Sequence, residues 1–270
     1  MSIMRTLLLV LRFMGVHMKT MLLYRTNFFV GLTSQIIYTV LSLSFVGAFL
    51  AGGRVINGWD FGRIIFLLGF GDVAFGLSAI FLFRIFVGFE QTYIIHGGLD
   101  KLLVQPLCIL FNLMLRNMDL NQGAVVIKGI VVMLIGAQLS GTVWTTALVL
   151  LVAVLALSGA MVYCAVYVAF LTLGFWFRRR NSLVGPMLSM NYLVQYPLSI
   201  YPTPLQVFLT LFIPLGLATY YPARAFLEIQ EDGALINLAW WPLPLLGLCS
   251  LVLASVVFHV GLRNYASSGT

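Results

Sequence analysis

Apolar residues fall in long runs, separated by short clusters of charged and polar ones. The runs cover about 28–50, 64–83, 120–139, 143–177, 183–217 and 242–260. A helix needs about 20 mainly apolar residues to cross the roughly 30 Å hydrocarbon layer of a membrane. The runs lack the period-2 alternation of a membrane barrel, and lipid offers no partner for unpaired backbone groups, so the pattern predicts helices. Six crossings are expected, with five or seven as alternatives. The fourth run is long enough to tilt, to project or to break at Ser158-Gly159. The fifth carries Pro197, Pro202, Pro204 and Pro214 and is not expected to be one straight helix.

Composition agrees. The 270 residues are 61% hydrophobic and 9% charged, against about 25% charged in soluble domains. So few charges cannot cover a soluble globule of this size, which excludes a soluble enzyme, a DNA-binding domain and a disordered chain. The net charge of +7 therefore reads as membrane orientation, not nucleic-acid binding.

Lys and Arg concentrate in cytoplasmic loops. An inside N-terminus puts Arg5, Arg12, Lys19, Arg25, Arg84, Lys101, Arg116, Arg178, Arg179, Arg180 and Arg263 inside, against Glu90, Asp100 and Asp119. Outside are Arg54, Arg63 and Arg224 against Asp60, Glu228, Glu231 and Asp232. Both termini are thus expected in the cytoplasm. In residues 1–26 positives interrupt the apolar run every six or seven residues, about two helical turns. That gathers them on one face and favours an interfacial helix over a signal peptide, which needs one compact apolar core.

Two stretches are candidates for mechanism. The inner segment 84–119 centres on Gly97-Gly98-Leu99-Asp100-Lys101-Leu102-Leu103-Val104-Gln105-Pro106. Two glycines end a helix, Asp100 suits the first turn of the next, and Pro106 stops it. Leu99, Leu102 and Leu103 are expected on one side. The element is either an interfacial helix buried against its own spans or a docking element for a soluble partner. The outer segment 196–241 is rich in proline and carries Tyr196, Tyr201, Phe208, Phe212, Tyr220 and Tyr221. Non-helical backbone at membrane depth must be covered by protein or water, which suggests short re-entrant helices. The aromatics either line an outer gate or mark the lipid–water boundary.

Intramembrane charges are expensive. Asp72 and Lys128 lie roughly 16 and 12 Å from the inner ends of their helices at about 1.5 Å per residue, so pairing is feasible. The pair is either a structural bridge or part of a substrate or proton path. His17, His96 and His259 are far apart, and Cys108, Cys164 and Cys249 are scattered; no metal site is expected. No nucleophile elbow or paired acids appear. Neither does a G-x-x-x-x-G-K-[ST] loop, since none of Lys19, Lys101 and Lys128 follows a glycine.

The spacing at Gly97, Leu99-Asp100, Leu103 and Pro106 resembles the cytoplasmic loop of ABC-2 type transporter permeases, in the branch of about this chain's length. Tyr24-Arg25-Thr26-Asn27-Phe28 is similar to the family's entry to its first span. Ile213-Pro214 with Tyr220-Tyr221-Pro222-Ala223 is similar to its outer segment, and residues 261–269 to its tail. The order of these matches, from near residue 24 to 269, is more specific than any one of them. The chain departs at Ile95, His96, Gly98 and Gln105, where the family carries charge.

The resemblance implies one all-α transmembrane domain over 1–270, in a bacterial plasma membrane. It implies the membrane half of an ATP-driven exporter of an amphiphilic or lipid-like molecule. ATP and Mg would bind two copies of a separate ATPase, with residues 97–106 as the coupling element. It also implies a second permease subunit, identical or not, and no cofactor on this chain. An ion-coupled secondary transporter using Asp72 and Lys128 is the alternative, though it would call for internal repeats that the halves do not show.

Overall fold

The structure, a computed structural model, describes residues 3–50, 55–176, 184–232 and 241–265. Arg54, the cluster Arg178, Arg179 and Arg180, and the tail from Ala266 lie outside them. The regular elements among the described residues are helices: α1 (Ile3–Leu23), α2 (Arg25–Phe49), α3 (Phe61–Phe89), α4 (Asp100–Leu103), α5 (Ile109–Arg116), α6 (Gly123–Leu139), α7 (Thr146–Leu173), α8 (Val184–Leu193), α9 (Thr203–Val207), α10 (Leu215–Ala218), α11 (Tyr220–Asp232) and α12 (Pro242–Leu262). Five stretches are long and apolar enough to cross a membrane: Arg25–Ala48, Phe61–Ile95, Leu120–Leu139, Thr146–Leu173 and Pro242–Leu262. The chain is an all-α polytopic membrane protein.

Local signals set the helix ends. Asp60 caps α3, accepting from the Arg63 amide at 2.8 Å, and Thr145 caps α7 through the Leu148 amide. The link from α2 to α3 turns at Asn57-Gly58, both at positive φ, with Ile56 and Trp59 exchanging backbone hydrogen bonds. Such a pair is the preferred core of a tight reversing turn.

The centre of the bundle is α3 and α7, whose spans are largely buried, whereas little of α2 is buried. α3 and α6 pack on glycines repeated every seven residues, about two turns. Gly62, Gly69 and Gly76 of α3 lie against Ser140, Met133 and Val126, a register that runs antiparallel. Gly129 and Gly136 of α6 face back on Val73 and Phe66. A Cβ would fall 2.8 Å from the Ser140 amide at Gly62 and 2.7 Å from the Val73 amide at Gly129. At Gly69 and Gly136 it would run into the backbone of Met133 and Phe66. Side chains are excluded, so the two backbones touch. Without a hydrophobic drive between helices in lipid, this close packing is what holds them. Gly69 and Gly76 thus serve contacts within the chain.

The fourth run stays one helix. Ser158 does not break it; its hydroxyl donates to the Leu243 carbonyl at 2.6 Å, and Gly159 makes room for the Ala218 carbonyl. At about 42 Å, α7 is longer than the hydrocarbon layer and must tilt or project. α12 packs on it with Gly247 against Ser158 and Gly261 against Thr172. Both numbers advance together, so the two helices are parallel. A parallel pair requires the chain between them to recross the bundle. That sixth crossing is the proline-broken run.

It starts as α8, ends helically at Leu193, and reaches Ser199, whose carbonyl accepts from Asn57 in the α2–α3 link at 2.7 Å. The chain then dips back through α9 and a π-helical turn at Phe208–Phe212, before α10 and α11 return it. Phe226 of α11 stacks on Phe66 at 5.0 Å between ring centres, with Trp144 at 5.8 Å. This end of the bundle is opposite the one that carries α4.

Gly136→Val is expected to destabilise the protein by about 3 kcal/mol or more, because a side chain there meets backbone. Gly31→Val, at a position with nothing within 4 Å, should be close to neutral. Thermal unfolding of the detergent-purified variants checks both; equal melting temperatures would refute the close-packing account.

Candidate functional site

α3 does not stop cleanly at Phe89. It widens into a π-helical turn, Glu90–Ile95. The amides of His96, Gly98 and Leu99 then bond back to the carbonyls of Gln91, Thr92 and Tyr93. Gly97 has φ +63°, the left-handed conformation that glycine adopts without strain. Gly98 has a different reason to be glycine: a Cβ would lie 2.5 Å from the Thr92 carbonyl oxygen. The wide turn delivers Leu99 into the core, and α4 begins at Asp100.

Leu99 and Leu102 are buried. Leu103 does not join them, being 46% exposed, and Val104 is 84% exposed. The expectation that all three leucines share a side is corrected accordingly. Leu99 sits before α4, in the wide turn, so the four-residue helix has no full face to bury and its end projects. Lys101 and Pro106 are exposed too. The element presents an apolar tip beyond the spans while anchored beneath.

The anchor is polar. Gln105 Oε1 accepts from Asn112 Nδ2 at 2.7 Å and from Arg116 Nη2 at 3.0 Å, and Arg116 Nε donates to Asn112 Oδ1 at 2.9 Å. Gln105, standing where the family resemblance places an arginine, therefore serves as an acceptor that ties the loop to α5. Asn117 Nδ2 donates to the Tyr93 hydroxyl at 2.6 Å. His17 of α1 meets the Leu115 carbonyl at 2.9 Å, so the N-terminal helix is joined to the same loop. Asp100 is half-buried beside Tyr265, which follows α12. Burial first, and then the Asp100 carboxylate, push the Tyr265 phenol above its ordinary pKa. Sequence reasoning missed Asn112, Arg116, Asn117 and Tyr93, because their partners are fixed only by the wide turn.

Inside the bundle, Lys128 Nζ lies 2.9 Å from Asp72 Oδ2, and also donates to Gln35 Oε1 of α2 at 3.1 Å. Both charged side chains are largely buried. Gln35 went unrecognised as a third member, since its partner is set by how α2 lies against α6, which one segment does not show. The group sits beside the Gly129 contact between α3 and α6, where an added Cβ would also lie 2.9 Å from Asp72 Cβ.

The six outer aromatics fall into separate groups. Tyr196 borders an apolar cleft of about 230 Å³ against Phe45, Val46 and Leu50 of the α2 end. The Tyr201 hydroxyl donates to the Leu193 carbonyl at 2.9 Å. Phe208 and Phe212 stack at 6.1 Å, with Phe212 75% exposed. Tyr220 is buried, 5.5 Å from Trp59, while the Tyr221 hydroxyl meets Thr210 Oγ1 at 3.3 Å. The turn after Phe212 lines, together with α7 and α12, a cleft of about 250 Å³.

A broken crossing with a re-entrant segment, a glycine-turned loop helix beyond the spans and a helical arm joined to that loop are the features of this all-α membrane fold. The family model described as ABC-2 family transporter protein matches residues 10–269. The chain belongs to that family and is a membrane component of an ABC transporter. Comparison with curated proteins gave no match, and comparison with solved structures gave none either.

Removing one member of the buried pair leaves the other charge uncompensated. Asp72→Ala is expected to cost about 3–5 kcal/mol, with the double change Asp72→Asn, Lys128→Met recovering most of it. Thermal unfolding of the three proteins checks this. A double variant no more stable than the single one would show that the pair is not the stabilising unit.

Proposed function

We propose that the chain is the permease subunit of an exporter powered by a separate ATPase, with the tip of α4 as the docking point. One observation carries this: Leu103 and Val104 stand exposed on an element that is otherwise anchored through Leu99, Leu102 and Gln105. An apolar tip held rigidly outside the spans is suited to insertion into a cleft on a soluble partner. The family membership supports an ATPase as that partner. The charge bias of the loops supports a cytoplasmic position for this end and for both termini.

ATP and Mg would bind two copies of the partner, beneath two permease subunits, identical or not, in a bacterial plasma membrane. Residues 97–106 are then the coupling element. The re-entrant segment at the far end, with Tyr196, Tyr201, Phe208, Phe212, Tyr220 and Tyr221, is the outer gate. Export of an amphiphilic or lipid-like substrate fits the apolar character of the clefts beside Tyr196 and Phe212. The ion-coupled alternative is less favoured, because Lys128 is already engaged by both Asp72 and Gln35.

Leu103→Asp with Val104→Asp is expected to reduce co-purification of the ATPase by about tenfold or more, the loss of roughly one buried apolar side chain. Melting temperature should stay near that of the parent, because both positions are exposed. Undiminished ATPase binding by this variant, and by Asp100→Arg, would overturn the docking assignment.

A further inference from the structure

Where α1 meets α2, a polar cleft of about 280 Å³ opens at the α4 end of the bundle. His17, Tyr24 and Asn27 line it from the α1–α2 side, Arg84 from α3, and Asp119 and Asn121 from the α5–α6 connection. The level of this cleft is set by its neighbours. Leu120 opens the apolar span of α6, and Asn27 lies in the first turn of α2. The cleft is therefore at the depth where hydrocarbon gives way to lipid headgroups.

Its charges are arranged unusually. Arg84 and Asp119 face the same space, yet they do not form a salt bridge with each other. Asp119 Oδ1 accepts from the Asn121 amide and side chain, at 3.2 and 2.9 Å. Its Oδ2 has only a long contact of 3.5 Å with Gln122 Nε2, which leaves it able to accept a strong donor. His17 spends its Nε2 on the Leu115 carbonyl. The charged functions that remain are one guanidinium and one carboxylate oxygen, held apart at headgroup level, and Asn121 Oδ1 in the same lining has no hydrogen-bond partner.

We propose that this cleft binds the phosphoethanolamine headgroup of a membrane phospholipid, with the phosphate on Arg84 and the ammonium on Asp119. A guanidinium binds phosphate through paired charged hydrogen bonds, and a primary ammonium offers three N–H donors. The acyl chains would lie along the apolar side of α2, where Phe29 and Val30 are exposed. An anionic glycerol headgroup would bring no cation to Asp119, and a choline headgroup would bring a cation without an N–H. The site goes beyond the ATP-driven reading and does not depend on it.

The test is native mass spectrometry of the purified full chain, equilibrated with an equimolar mixture of phosphatidylethanolamine, phosphatidylglycerol and phosphatidylcholine of matched acyl chains. The parent protein should retain phosphatidylethanolamine over the other two. Arg84→Gln should lower that retention about tenfold, as expected for a lost charged hydrogen bond. Asp119→Asn should erase the preference over phosphatidylglycerol. Equal retention of the three lipids by the parent protein would overturn the proposal, whichever variants fold, and so would unchanged retention by Arg84→Gln.

Discussion

Backbone contact between α3 and α6 is the constraint from which the rest of the bundle follows. Glycines every seven residues let two apolar helices touch along their length, in a setting where burial of apolar surface gives no preference for protein over lipid. That contact fixes the register of the two helices. Register in turn sets Asp72 opposite Lys128, so a costly pair of charges becomes a satisfied one, and α2 is pinned to the body through Gln35. It also fixes the height at which α3 leaves the bundle, and hence where the wide turn and α4 emerge.

Much of this was legible in the sequence. Hydropathy marks the spans because lipid forces backbone groups to pair within each segment. Asp72 and Lys128 stood out because charge within an apolar run has few explanations. The glycines at 62, 69 and 76, and at 129 and 136, are equally visible as a repeat of seven, but a repeat on one segment does not say what it packs against. Their joint role needs a partner helix with matching spacing, which is a property of two segments rather than one. Leu103 shows the opposite limit. Helical spacing put it with Leu99 and Leu102, but spacing has meaning only where there are turns enough to define a face, and α4 has four residues.

The broken crossing is where local rules and global topology meet. Prolines forbid a straight helix, and residue patterns alone leave the count at five, six or seven. The packing of α7 and α12 supports six: small residues at Ser158 and Thr172 match Gly247 and Gly261 in parallel, so the chain between must return across the bundle. The unpaired backbone this creates is covered by protein. Ser199 is met by Asn57, Thr219 Oγ1 donates to the Val194 carbonyl at 3.2 Å, and the Ala218 carbonyl packs against Gly159.

Those same parallel helices offer a physical route between the two ends in the proposed transport cycle. At the α4 end, Phe89 of α3, Phe175 after α7 and Phe258 of α12 pack ring against ring, at centroid distances of 5.5 to 6.4 Å, and Tyr93 lies 5.8 Å from Phe89. A displacement of the wide turn therefore bears on α7 and α12 together. At mid-bundle these two helices and the re-entrant turn after Phe212 line one cleft. Close-packed interiors shift between discrete arrangements rather than deform smoothly. A push at α4 would then reach the turn after Phe212 as a movement of the α7–α12 pair, with the glycine-locked α3 and α6 as the frame against which it moves.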